Sequence, residues 1–281
     1  MLLDAASVER AVAGLRLRVP RGPHRGRSGD ARASSVGSSV ELHDFRSYQP
    51  GDDLRQVDWN AVARTGDLVL RVRQEEVSPR CEVILDASAS MAVSSEKASR
   101  ARELAYAICV MARQAGLEVT LVCTGPTPRR LTMIEVLPAL QQTAFDQRVP
   151  FDLALNHLPP MRPCGVRVVI SDFLLEAAPG ALVERFSRGA AQLTLLQVLD
   201  AEDLEPTFVG GARLTDAETG EALDRTLTSD DLKRYDERFR ALLALWQSAI
   251  SRVHGALIQV SAAETLAALV RGPLAAAVSV E

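Results

Sequence analysis

Sulfur, histidine and aromatic rings are scarce in this 281-residue chain, which has four cysteines, four histidines and 4% Phe, Trp and Tyr. Cys81, Cys109, Cys123 and Cys164 lie far apart and form no C-x-x-C pair. That excludes a thiolate metal knuckle and a disulfide framework, and the four read as small core residues in a reducing compartment. His24, His43, His157 and His254 fall beside no candidate nucleophile at a strand end, and there is no G-x-S-x-G elbow, which argues against a triad hydrolase. A phosphate-binding loop of the form G-x-x-x-x-G-K-S/T is missing too, so ATP hydrolysis by this chain is not expected. Long apolar runs are absent: ALLALW (241–246) is short, and the opening MLLDAASVERAVAGLRLRV is broken by charges, fitting neither a membrane span nor a signal peptide. The expected setting is the cytoplasm. Eight arginines against five acids in the first fifty residues make a basic start, but no aromatics are interleaved, and nucleic acid is not an expected partner.

What is present is an apolar content of 47% with a formal charge of −4, enough for one large domain carrying an extra segment. Residues 5–18 have the pattern of a short amphipathic helix, and Pro20 to Val40 is an Arg-, Gly- and Ser-rich arm without hydrophobic period. Residues 1–40 thus form a helix and arm, 41–80 a turn, helix and strand packed on the main domain, and 81–271 the main domain with an insertion near 201–229. Within 41–80, Asp53 and Gln56 resemble a capping box for a helix stopped near Gly66, and Leu68, Leu70 and Val72 alternate as a strand does. Strands are expected at Glu82–Asp86, Leu117–Thr124, Leu131–Val136, Val166–Ser171, Leu193–Asp200 and Ala256–Ser261. Helices are expected at Ser95–Gly116, Leu137–Thr143, Phe151–Leu158, Ala181–Gln192, Asp230–His254 and Glu264–Val270. Ala212 to Leu223 reads as a hairpin turning at Gly220. This alternation predicts a mostly parallel α/β sheet in the order 3-2-1-4-5-6, helices on both faces, with one antiparallel edge.

One strand ends oddly. EVILDASASMAV (82–93) runs from apolar residues into Asp86, with serines at the alternate positions Ser88 and Ser90; a second strand-end acid, Asp172, closes VRVVISD. In the expected order those two strands are neighbours, so their acids meet at the carboxyl edge of the sheet, where open α/β sheets gather function. One carboxylate and two hydroxyls are hard oxygen ligands suited to Mg²⁺ or Mn²⁺ rather than to Zn²⁺. The plainer reading is that an acid and serines after a strand cap the next helix.

DASAS with the later SDF resembles the metal-ion-dependent adhesion site of von Willebrand factor A domains. The stretch HDFRSYQPGDDLRQVDWNAVARTGDLVLRVRQEE is similar to the signature of a bacterial family numbered fifty-eight in the domain-of-unknown-function series. The resemblance implies a Rossmann-like sheet with an appended N-terminal segment, a non-enzymatic interaction or assembly role, unknown protein clients, and pairing with a MoxR-type AAA+ ATPase. By position, Asp86, Ser88 and Ser90 match the first loop of the adhesion site and Asp172 the third. The second loop departs: Phe151 stands where a Thr is expected, leaving Asp152, Thr124 or water as substitutes. Two alternatives remain, a metal-independent scaffold of the same fold and a Mg²⁺-dependent phosphohydrolase using Asp86. Asp52, Asp53 and Asp58 are read as turn and cap residues rather than a second site, Asp58 pairing with Arg46 or Arg64, and Trp59 as packing on the main sheet.

Overall fold

The computed structural model describes residues 3–19, 43–48, 57–73, 80–125 and 127–280. The chain divides into a larger unit, Met1–Pro20 with Ser78–Glu281, and a smaller one, Arg21–Val77. The larger unit opens with α1 (Ala5–Ala11) and β1 (Leu15–Leu17). A single helix over 5–18 was expected. Instead Gly14 takes a left-handed φ of 71° and the chain turns there into a strand.

The smaller unit contains β2 (His43–Ser47), α2 (Trp59–Thr65) and β3 (Val69–Arg73), with β2 and β3 antiparallel from His43↔Arg73 to Ser47↔Val69. The cap of α2 is Asp58, whose Oδ1 accepts from the N–H groups of Asn60 (3.0 Å) and Ala61 (3.2 Å). Gly66, at φ 75°, ends the helix where the sequence places its stop. Asp52, Asp53 and Gln56 lie outside the described residues. Trp59 was expected to pack, but its side chain is 62% exposed.

Alternation then carries through the rest of the larger unit. It runs β4 (Arg80–Leu85), α3 (Ser95–Gln114), β5 (Glu118–Cys123), β6 (Arg130–Thr132), α4 (Met133–Gln142), α5 (Phe151–Ala154), β7 (Cys164–Ser171), α6 (Pro179–Ser187) and β8 (Ala190–Leu199). There follow α7 (Ala201–Leu204), the hairpin β9 (Gly210–Thr215) and β10 (Ala222–Leu227), α8 (Ser229–Arg252), β11 (Ala256–Ser261), α9 (Leu266–Arg271) and β12 (Val278–Val280). The main sheet has the order β11-β8-β7-β4-β5-β6, parallel except for β6 against β5. This is the predicted 3-2-1-4-5-6 arrangement with its one antiparallel edge. Separately, β1 pairs antiparallel with β12, and β9 with β10.

The extended reading of Leu131–Val136 fails after Thr132. A capping box between Thr132 and Glu135 starts α4 at Met133, and Ile134, taken as a strand residue, is 90% exposed. Local capping outweighs a short apolar run here.

Each strand of the sheet sends alternate residues to two different cores. Val83, Leu85, Val166, Val168, Ile170, Leu196 and Val198 join α3, whose Ala101, Leu104, Ile108 and Met111 are buried, as well as Val8 of α1 and Leu269 of α9. Ile84, Val169, Leu193 and Leu195 face the other way, toward Leu182 and Phe186 of α6 and Trp246 and Ile250 of α8. Among the buried cysteines, Cys81, Cys109 and Cys164 fill this packing as free thiols, all pushed above their ordinary pKa by burial first.

Candidate functional site

Asp86 lies one residue beyond β4 and Asp172 one beyond β7, on adjacent parallel strands, where the connections leave for opposite faces of the sheet. The backbone N–H of Asp86 donates to the Ile170 carbonyl at 2.9 Å, so the two strand ends are hydrogen-bonded up to the site itself. Thr124, at the end of β5, accepts the Ala87 N–H on its hydroxyl at 2.7 Å, and Gln147 pairs with the loop through Ala87 and Ala89. The loop after β4 is therefore pinned from both flanks.

Asp86 is fully buried. Its Oδ1 accepts from the Ser88 N–H (2.9 Å) and its Oδ2 from the Ser171 hydroxyl (2.7 Å). Burial raises its pKa from 3.8 to about 7; the charge of Asp172 adds to the rise, while the hydrogen bonds from Ser171 and Ser88 oppose it. The Ser88 and Ser90 hydroxyls lie 3.0 Å apart, an ordinary hydrogen bond satisfied within the loop. Met91 buries fully behind them, and Ser94 caps α3 by accepting the Lys97 N–H.

Asp172 is also committed. Oδ1 accepts the Leu174 N–H at 3.2 Å and Oδ2 accepts the Lys97 ammonium at 3.0 Å. The same ammonium donates to Asp203 Oδ2, again at 3.0 Å, and Lys97 is 1% exposed. Burial by itself depresses the Lys97 pKa, but the charges of Asp172 and Asp203 outweigh it and the net shift is upward. Asp203 sits in α7, at the end of β8, where its carboxylate also accepts the Asp200 N–H. Phe173, next to Asp172, holds a left-handed φ of 53°, costing about 1–3 kcal/mol for a non-glycine. It is fixed by the Ser171 hydroxyl on its N–H, by the Trp246 indole N–H on its carbonyl (3.1 Å), and by the Trp246 ring at 4.9 Å.

All four predicted residues thus lie on the loops that meet at one sheet edge, and three further participants join them. Ser171, Lys97 and Asp203 were missed as site residues. Lys97 carries a signal that was available: it is one of two lysines among 32 basic side chains, and it occupies the third helical position, where a capping box places Glu or Gln. From the inserted hairpin, Glu218 accepts the Ser90 N–H at 3.3 Å, a contact spanning 128 residues.

A family model described as "Protein of unknown function DUF58" matches residues 44–242. The chain belongs to this family. DUF58 membership takes in both the signature segment before β4 and the sheet through α8. Uncharacterized proteins of Mycobacterium bovis and Mycobacterium tuberculosis are 30% identical over 209 residues, covering 68% of this chain. The chain spans 65% of the length of those relatives, just under two thirds. Among solved structures, the conserved hypothetical protein BatB from Bacteroides thetaiotaomicron is similar at 13% identity and a TM-score of 0.40, over 70% of this chain and 97% of that one. An aerotolerance-related membrane protein from Bacteroides fragilis is similar at 15% identity and a TM-score of 0.37, over 69% and 96%. No helix among the described residues of this DUF58 chain is long and apolar enough to cross a membrane.

The donor set fits poorly the Mg²⁺ site that the adhesion-loop resemblance implies. A small hard cation gives up its water only for well-placed, available oxygens. All four carboxylate oxygens of Asp86 and Asp172 already accept a hydrogen bond from the chain, one of them from an ammonium. Phe151, at the position where the second loop needs a hydroxyl, is 1% exposed and packs on Phe173 and Phe186. Thr124, one of the substitutes the sequence offers, accepts the Ala87 N–H on its hydroxyl at 2.7 Å.

Proposed function

We propose that this chain is a non-enzymatic protein-interaction or assembly module of the von Willebrand factor A type, working with a MoxR-type AAA+ ATPase on protein clients. One observation carries the reading: the Asp86 and Asp172 loops converge at the carboxyl edge as a hydrogen-bonded structure in which both carboxylates are buried and bonded to the chain. Asp86 is fully buried and each of its oxygens accepts a hydrogen bond from the chain, which disfavours the phosphohydrolase alternative. The same bonding favours the metal-independent form of the module over the Mg²⁺-dependent one. The ATPase as partner rests on the family resemblance alone.

The test is affinity capture from the native cell with ATP present, with and without chelator, using wild type and Asp86→Ala, followed by mass spectrometry. Enrichment of an AAA+ ATPase that is insensitive to chelator and reduced in the variant is the expected result. Absence of any AAA+ protein, or phosphoester turnover that disappears in Asp86→Asn, sinks the proposal.

A further inference from the structure

We propose that the Lys97 ammonium is the resident cation of this site, joining the ends of β7 and β8 and making a divalent metal unnecessary. The proposal deepens the interaction-module reading and rests on it for the site's importance, but its argument is the local geometry. Asp172 follows β7 directly and Asp203 lies in α7, just after the neighbouring parallel strand β8, and each places an Oδ2 atom 3.0 Å from the same nitrogen. A compact ammonium with three donors serves as a point charge between two carboxylates, whereas the broad planar guanidinium suits paired forks. Use of lysine here, in a chain where only Lys233 is another, fits that requirement.

The local sequence argues that the placement has a tertiary cause. Lys97 is in the first turn of α3, where the helix dipole disfavours a cation and the Ser94 cap would ordinarily be answered by an acid. A solvated lysine would be an unforced loss at that position; a lysine buried to 1% and doubly paired is not. Asp203 is in turn held by its own capping box with Asp200, and the Tyr235 hydroxyl donates to the Asp203 carbonyl at 2.7 Å. Both acids are therefore presented to Lys97 by structure that does not depend on it. A divalent ion placed against Asp172 would compete with the Leu174 N–H at Oδ1 or share Oδ2 with the ammonium, and at either oxygen it would meet like-charge repulsion in a buried setting.

The experiment uses the full purified chain and Mn²⁺ as the probe, followed by electron paramagnetic resonance, with thermal unfolding in Mg²⁺ or chelator alongside. Wild type is expected to bind no Mn²⁺ below about 1 mM, the weak end of protein sites for hard divalent ions, and to unfold at the same temperature in Mg²⁺ and in chelator. Lys97→Met leaves two carboxylates without their cation; it is expected to unfold at lower temperature in chelator and to regain part of the loss in Mg²⁺. If that variant does not fold, Lys97→Met with Asp172→Asn and Asp203→Asn removes all three charges and is expected to recover folding. One-to-one Mn²⁺ binding by wild type at submillimolar concentration, abolished by Asp86→Ala, overturns the proposal whatever the variants do. Failure of the interaction reading shows up separately, as loss of ATPase capture with the Mn²⁺ result unchanged.

Discussion

The two faces of the sheet are built differently. Toward α3, the residues sent down from β4, β7 and β8 are almost all aliphatic, and eleven residues of α3 are buried among them. Toward α6 and α8, the same strands also bury Glu82, Arg167, Ser171 and Gln197. Glu82 and Arg167 are register partners on β4 and β7, paired at 2.8 Å, and Arg167 also donates to the carbonyls of Arg162, Phe186 and Arg188. Gln197 continues the polar row upward, donating to the Asp172 carbonyl at 2.8 Å. The dry face supplies cohesion; the polar face fixes the register of β4 against β7 and so the level at which Asp86 and Asp172 meet. Buried pairs of this kind are weak sources of net stability but costly to break on one side.

Five substitutions would sharpen or break that contrast. Arg167→Met leaves Glu82 with Arg130 as its one ion-pair partner among the described residues and is expected to cost about 3–5 kcal/mol in chemical denaturation. Adding Glu82→Leu to it should recover most of that loss; failure to recover would mean the pair does more than hold register. On the dry face, Leu104→Ala, at a fully buried position of α3, should cost about 2–5 kcal/mol through lost burial and the cavity left behind.

At the site edge the expected effect is smaller and depends on pH. The Asp86 carboxyl is raised from 3.8 to about 7, so the folded state holds its proton more tightly than the unfolded chain. The associated stability is complete below about pH 4 and is lost as pH rises through about 7. Asp86→Asn, lacking that titration, should gain in melting temperature relative to wild type as pH is raised from 4 to 8; a constant difference across that range would show that Asp86 does not titrate there. Least of all, Leu245→Ala, at a position of α8 that is 57% exposed, should change stability by less than about 0.5 kcal/mol.

The sheet was legible because its strands are nearly continuous apolar runs separated by amphipathic helices, and the acids at Asp86 and Asp172 follow directly from the strand order those runs imply. Where competing local chemistry acts, periodicity misleads: Thr132 with Glu135 starts α4 early, and Gly14 turns a helix into β1. The strand β2 was not anticipated, since HDFRS has no alternation strong enough to stand out. At the site, hydroxyl and carboxylate donors were readable, but their availability was not. Whether Asp172 is free depends on Lys97 and Asp203, which are 75 and 106 residues apart from their partners, and no local pattern encodes such a pairing.

Trp246 gives the site a built-in optical reporter. Of the chain's two tryptophans, Trp59 is largely exposed, whereas Trp246 is fully buried with its indole N–H on the Phe173 carbonyl, one residue from Asp172. Emission from the buried indole should lie to the blue of that from the exposed one. The two signals are therefore separable, and changing Trp59 to Phe would leave a chain whose fluorescence reports on the Asp172 loop in real time, without a label, as a partner arrives.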